Sequence, residues 1–179
     1  MIGAGILTLL SCLLLGLYFI NQKAYRDYSL KSILLIAITF ILFLGAARFT
    51  IIDRTVLPYI YPIAAFGLTL SVIFNFEVAA ILSLILGVLA AYGLPNGFDL
   101  TIYYVFPAIF GMMTLGKARR IAAFFGSGIT IGVAGAAIIL AYRLPDSVTD
   151  WIGIATLSGA SFINGIVVAG LTLLLQYIY

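Results

Sequence analysis

Residues 57–93 read LPYIYPIAAFGLTLSVIFNFEVAAILSLILGVLAAYG, an almost unbroken apolar run. As one α-helix these 37 residues would extend roughly 55 Å at 1.5 Å per residue. A bilayer offers only about 30 Å of hydrocarbon, so the stretch must fold back on itself. Its one polar interruption is Asn75-Phe76-Glu77. The turn belongs there, between spans at 57–74 and 77–93.

The flanking sequence repeats the pattern. Apolar runs also occupy residues 2–20, 32–51, 100–116, 121–142 and 151–177. Between them lie short polar loops, among them Leu94-Pro95-Asn96-Gly97-Phe98-Asp99, where proline and glycine end one helix and Asp99 is placed to cap the next. Asp150 is placed likewise before the last run. The runs are too long and too continuous for barrel strands, which are about ten residues long and alternate apolar with polar. The expected fold is all-α: one polytopic domain over residues 1–179, a bundle of about seven transmembrane helices.

Composition agrees. Of 179 residues, 64% are hydrophobic and 8% charged, and mean hydropathy is +1.25. A soluble domain carries nearer a quarter charged residues. Lipid, as the principal partner, removes the need for a polar exterior. The first run lacks a positively charged start, so it does not read as a signal peptide. Leu9-Leu10-Ser11-Cys12 faintly resembles a lipoprotein cleavage box, but apolar residues continue from Leu13 to Ile20, as in a plain membrane helix.

Several kinds of chemistry are excluded within these residues. There is no histidine, one cysteine (Cys12), and six scattered acidic residues. Imidazole acid–base catalysis, an internal disulfide and a clustered metal site all lack their parts. No catalytic, cofactor-binding or metal-binding residue is assigned. The net charge of +3 sits in short loops and does not suggest nucleic acid.

Those basic residues suggest an orientation. Alternate loops hold Lys23, Arg26, Lys31, Lys117, Arg119 and Arg120, and the opposite loops hold Arg48, Arg54 and Arg143. The richer side is expected in the cytoplasm. Residue 1 then starts outside, and Tyr179 ends inside.

Small residues recur every fourth position in the last two runs: Gly128, Gly132 and Ala136, then Ser161, Gly165 and Ala169. Such faces allow close helix approach. Packing within one bundle is the first reading, and a homodimer interface the second. Two polar residues stand out. Asn164 falls near the middle of the last run, where an amide needs a partner, either for packing or for a signal relay. Glu77 lies at the turn after Asn75, where it can reach water or favour a helix N-terminus. Pro62 and Pro107 each remove a backbone donor and can kink their helices.

Certain stretches carry a family likeness: Leu57-Pro58-Tyr59-Ile60-Tyr61-Pro62-Ile63-Ala64-Ala65, the Asn75 turn, Phe110-Gly111, the Lys117-Ala118-Arg119-Arg120 turn and Ser161-Phe162-Ile163-Asn164-Gly165. Through them the chain resembles the seven-helix membrane domain of the bacterial membrane-associated HD phosphohydrolases. The resemblance implies an extracytoplasmic sensor domain before Met1 and a cytoplasmic HD domain after Tyr179, the latter hydrolysing cyclic di-AMP with metal ions held by His and Asp. These residues would then be a piece of a longer protein, its anchor and transmitter rather than its enzyme. The competing reading is a small membrane transport component, such as a vitamin-binding importer subunit. Those proteins usually have six helices, which would bring both ends to one side. A structural partner in an envelope assembly is a third reading, with no specific residue behind it.

Overall fold

A computed structural model describes residues 30–116, 121–145 and 150–178. The expected first span at 2–20, the Lys23 and Arg26 loop, Cys12 and the Lys117–Arg120 turn lie outside the described residues. The rest is helical: α1 (Leu30–Ile51), α2 (Leu57–Ile60), α3 (Ile63–Ile73), α4 (Phe76–Ala91), α5 (Gly97–Leu115), α6 (Ile121–Arg143) and α7 (Trp151–Ile178). Four stretches, Ser32–Ile51, Gly97–Leu115, Ile121–Arg143 and Trp151–Tyr177, are long and apolar enough to cross a membrane. Leu57–Ile73 and Phe76–Ala91 are shorter apolar passes.

The core is apolar, as in a soluble protein, but the surface is apolar too, and a few polar residues lie inside. Thr69, Ser83, Ser127, Ser161, Asn164 and Thr172 are buried, while Ile41, Phe49, Ile129, Ile152 and Ile166 are exposed. Lipid tails accept the large apolar side chains, and the interior is where polar groups find partners. Hydroxyls of Thr39, Thr69, Thr101 and Thr172 each donate to the carbonyl four residues back, so they add no unmet donor.

Asn75 caps α4: its side-chain oxygen accepts from the Val78 N–H at 3.0 Å. The turn falls where the apolar run had to reverse. At the other end of α4, Arg48 reaches across from α1 and donates to the carbonyls of Tyr92 (2.8 Å) and Leu89 (2.9 Å), acceptors left open where the helix ends. Asp150 caps α7 through the Gly153 N–H at 3.0 Å. Asp99 does not cap α5. That helix starts earlier, at Gly97, with Asn96 at the N-cap and Asp99 inside the first turn. The early start follows from a turn in which the Gly97 N–H bonds the Leu94 carbonyl, leaving Asn96 O to receive the Leu100 N–H.

The expected single helix at 57–74 is broken. Tyr61 is extended (φ −65°, ψ 123°) and Pro62 stands at the N-cap of α3. A residue before proline is pushed out of the helical region, so Tyr61 ends α2. Pro107, by contrast, lies inside a continuous α5.

The broken pass is central. Every residue from Ile63 to Leu70 is buried, with α1, α4, α5 and α7 all contacting α3. Phe66 is fully buried and meets the rings of Phe40 and Phe43 at 5.8 and 5.7 Å. Non-helical backbone at membrane depth is tolerated where protein surrounds it. The hairpin of α6 and α7 closes one side against α5.

Candidate functional site

The break at Tyr61-Pro62 creates a local hydrogen-bonding problem. In a continuous helix the Pro58 carbonyl would receive the N–H of residue 62, but proline has none. The Tyr59 carbonyl would receive the Ile63 N–H, which instead bonds Tyr61 O at 2.9 Å. Two carbonyls, one buried and one part-buried, are thus left open, and an unpaired buried carbonyl costs about 1–3 kcal/mol.

Two consecutive tyrosines on α5 supply the missing donors. Tyr104 Oη donates to Pro58 O at 2.9 Å, and Tyr103 Oη donates to Tyr59 O at 2.7 Å. The Tyr59 and Tyr103 rings meet edge to face with centroids 5.0 Å apart. A third hydroxyl, that of Tyr61, donates to Phe43 O on α1 at 2.7 Å. The break is therefore held by three phenols from two directions.

Asn164 joins this arrangement from α7. A phenol has one proton, and Tyr103 gives its own to Tyr59 O. Toward Asn164 the Tyr103 oxygen can only accept, and Asn164 Nδ2 lies 3.4 Å away. That is the long end of hydrogen bonding. Asn164 is 4% exposed, and its Oδ1 has no partner among the described residues. One helical turn earlier, Ser161 Oγ donates to Gly132 O on α6 at 3.1 Å. A polar path thus crosses the bundle from α2 through α5 to α7 and α6.

Small residues make that path geometrically available. A Cβ on Gly128 would meet Gly165 O at 2.5 Å, and one on Gly165 would overlap Gly128 O. A Cβ on Gly132 would meet the Phe162 ring at 2.9 Å. Gly135, rather than Ala136, continues the seam. Its missing Cβ leaves room for Ser161 and for the Tyr103 ring, whose Cε2 would lie 2.8 Å away. The reason is helical period. Steps of four drift around a helix of 3.6 residues per turn, whereas positions i, i+4 and i+7 stay on one face. Glu77 sits apart from all of this, exposed in the first turn of α4 at the opposite end of the bundle from Tyr59.

Sequence reading singled out Asn164 and the glycines. It missed Tyr59, Tyr103 and Tyr104, because nothing local to a tyrosine in an apolar run says which distant backbone carbonyl its hydroxyl will meet. The available signal was Pro62, whose missing donor requires a substitute at position 58.

No curated protein and no solved structure matches the chain. A family model described as "7TM receptor with intracellular HD hydrolase" matches residues 1–179. With its all-helical fold and several apolar passes, the chain is a multi-pass membrane protein and belongs to the family of seven-helix receptors associated with an intracellular HD hydrolase.

Proposed function

We propose that this domain transmits a signal across a bacterial cytoplasmic membrane, from an outer sensor domain before Met1 to a cyclic di-AMP-hydrolysing HD domain after Tyr179, and has no catalysis of its own. The supporting observation is the buried path from the broken helix to α7, Tyr59–Tyr103–Asn164. A break held by side-chain hydroxyls has two states, bonded and released, whereas a continuous helix has none at that point. Asn164 rides on α7, the last helix before the hydrolase in this arrangement. A shift of α2 is thereby felt by the element that leads to the enzyme. Two discrete arrangements of one element are what coupling requires. The basic residues of alternate loops support a start outside and an end at Tyr179 in the cytoplasm.

The test uses the full-length protein with its HD domain and with Cys12 replaced by serine. Cysteines at Ile129 and Phe162, which line one groove across the α6–α7 seam, are joined by a bifunctional maleimide. Cyclic di-AMP hydrolysis in proteoliposomes is expected to change several-fold on linking. Unchanged hydrolysis would leave the domain as an anchor. Reporters fused at both ends check the orientation, and a signal from the same compartment at both would overturn it.

A further inference from the structure

The three arginines assigned to the basic-poor side, Arg48, Arg54 and Arg143, come from distant parts of the chain. All three line one crevice of about 560 Å³ at the end of the bundle where α1, α4 and α6 finish. That volume lies within the range of small-molecule sites, about 300–1,000 Å³. Against the three guanidinium groups stands one carboxylate in the lining, Asp53. Arg48 spends two donors on the α4 carbonyls and keeps the others, since a guanidinium has five N–H groups. Arg54 makes no side-chain hydrogen bond or ion pair among the described residues. The rest of the wall is mostly apolar, with Ile51, Pro58, Leu94, Leu100 and Tyr59, and adds two neutral polar residues, Thr55 and Asn96.

The crevice also touches the polar path. Tyr59 and Arg143 belong both to its wall and to that of an adjoining cavity of about 10 Å³, which Tyr103 and Asp99 also line. A ligand pressed on Tyr59 therefore sits one residue from the Tyr103 hydroxyl.

We propose that this crevice binds an organic phosphate, its dianionic group between Arg54 and Arg143 and its apolar body against Pro58, Tyr59 and Leu100. Guanidinium groups lining one crevice suit a multiply charged oxyanion, and the apolar part of the wall favours an organic body over a bare inorganic ion. A soluble phosphate monoester and the headgroup of phosphatidic acid share this chemistry. The site's role as the receptor's input rests on the transmission reading above, whereas its occupancy does not.

The test places the 179-residue chain in phosphatidylcholine nanodiscs and titrates phenyl phosphate by calorimetry, with benzyl alcohol as the neutral control. Saturable binding of the phosphate alone is expected. Arg54→Gln and Arg143→Gln should each weaken it about tenfold, the worth of one charge-assisted hydrogen bond. Asp53→Asn should tighten it several-fold. This variant keeps the fold, because Asp53 has φ +58° and asparagine tolerates that region. Phosphatidic acid in the disc competing with phenyl phosphate identifies a lipid occupant; no competition identifies a soluble one. Both outcomes support the site. No saturable binding, or affinity unchanged in all three variants, overturns it. Binding without any cross-link effect on hydrolysis would retain the site and remove the transmission reading, and the reverse pattern would do the opposite.

Discussion

Tyr104 donates its hydroxyl at 2.9 Å to the carbonyl oxygen of Pro58, the acceptor that Pro62 cannot satisfy. This bond crosses from α5 to the broken pass and is buried. Tyr104→Phe removes the donor without changing the ring, and leaves a carbonyl unmet. A loss of about 1–3 kcal/mol is expected, read as a lower unfolding midpoint in a denaturing detergent titration. In a Pro62→Ala background the new N–H can reach Pro58 O. There the Tyr104→Phe loss should shrink, and equal losses in both backgrounds would refute the explanation.

Tyr103→Phe should cost more than Tyr104→Phe. It strips the Tyr59 carbonyl of its donor and also removes the acceptor of Asn164. Asn164→Leu should be tolerated better than Tyr103→Phe, because it takes away an amide whose Oδ1 already has no partner among the described residues. The ranking is checked by the same unfolding midpoints.

The glycines of α6 and α7 are not equivalent. Gly128→Ala places a methyl against the Gly165 carbonyl, while a Cβ at Gly170 meets nothing within 4 Å. Overpacking costs about 1–3 kcal/mol. Gly128→Ala should therefore lower thermal stability, and Gly170→Ala should leave it level or raise it slightly. A Gly128→Ala protein of unchanged stability would show that the seam is looser than described.

Ser83 sits fully buried with Oγ unpartnered among the described residues. Ser83→Ala removes an unmet polar group and should be neutral or stabilising. It should also relieve Gly67→Ala, since a Cβ at Gly67 would overlap Ser83 Oγ. A double-mutant cycle measures this coupling. Additive effects would contradict the proximity.

Arg48 ties α1 to the end of α4. Arg48→Met keeps the aliphatic stem and deletes both bonds to Tyr92 and Leu89. One of these bonds is exposed and the other part-buried, so together they are worth about 1–3 kcal/mol, and α1 should loosen from the end of α4. Proteolysis or cysteine labelling near α1 is expected to accelerate in the variant.

Much of the fold is a one-dimensional property of this chain. The length of the apolar run 57–93 against the thickness of a membrane demands a reversal, and Asn75 as its hinge and Asp150 as a cap follow from local chemistry. These are decided within a few residues, so they can be read in order along the chain. The broken third pass was half visible: Pro62 announced a missing donor, but nothing near it says that Tyr103 and Tyr104, more than 40 residues away, supply the replacement. The small-residue seam was visible as a period of four, yet the face in contact turns with the helix and chooses Gly135 over Ala136. Loop alternation puts Arg48, Arg54 and Arg143 on one side, but nothing in the sequence says that they meet on one crevice. Helix formation and membrane insertion depend on neighbours in the chain, whereas a polar path or a charged crevice depends on which faces of separate helices meet, and only packing in three dimensions decides that.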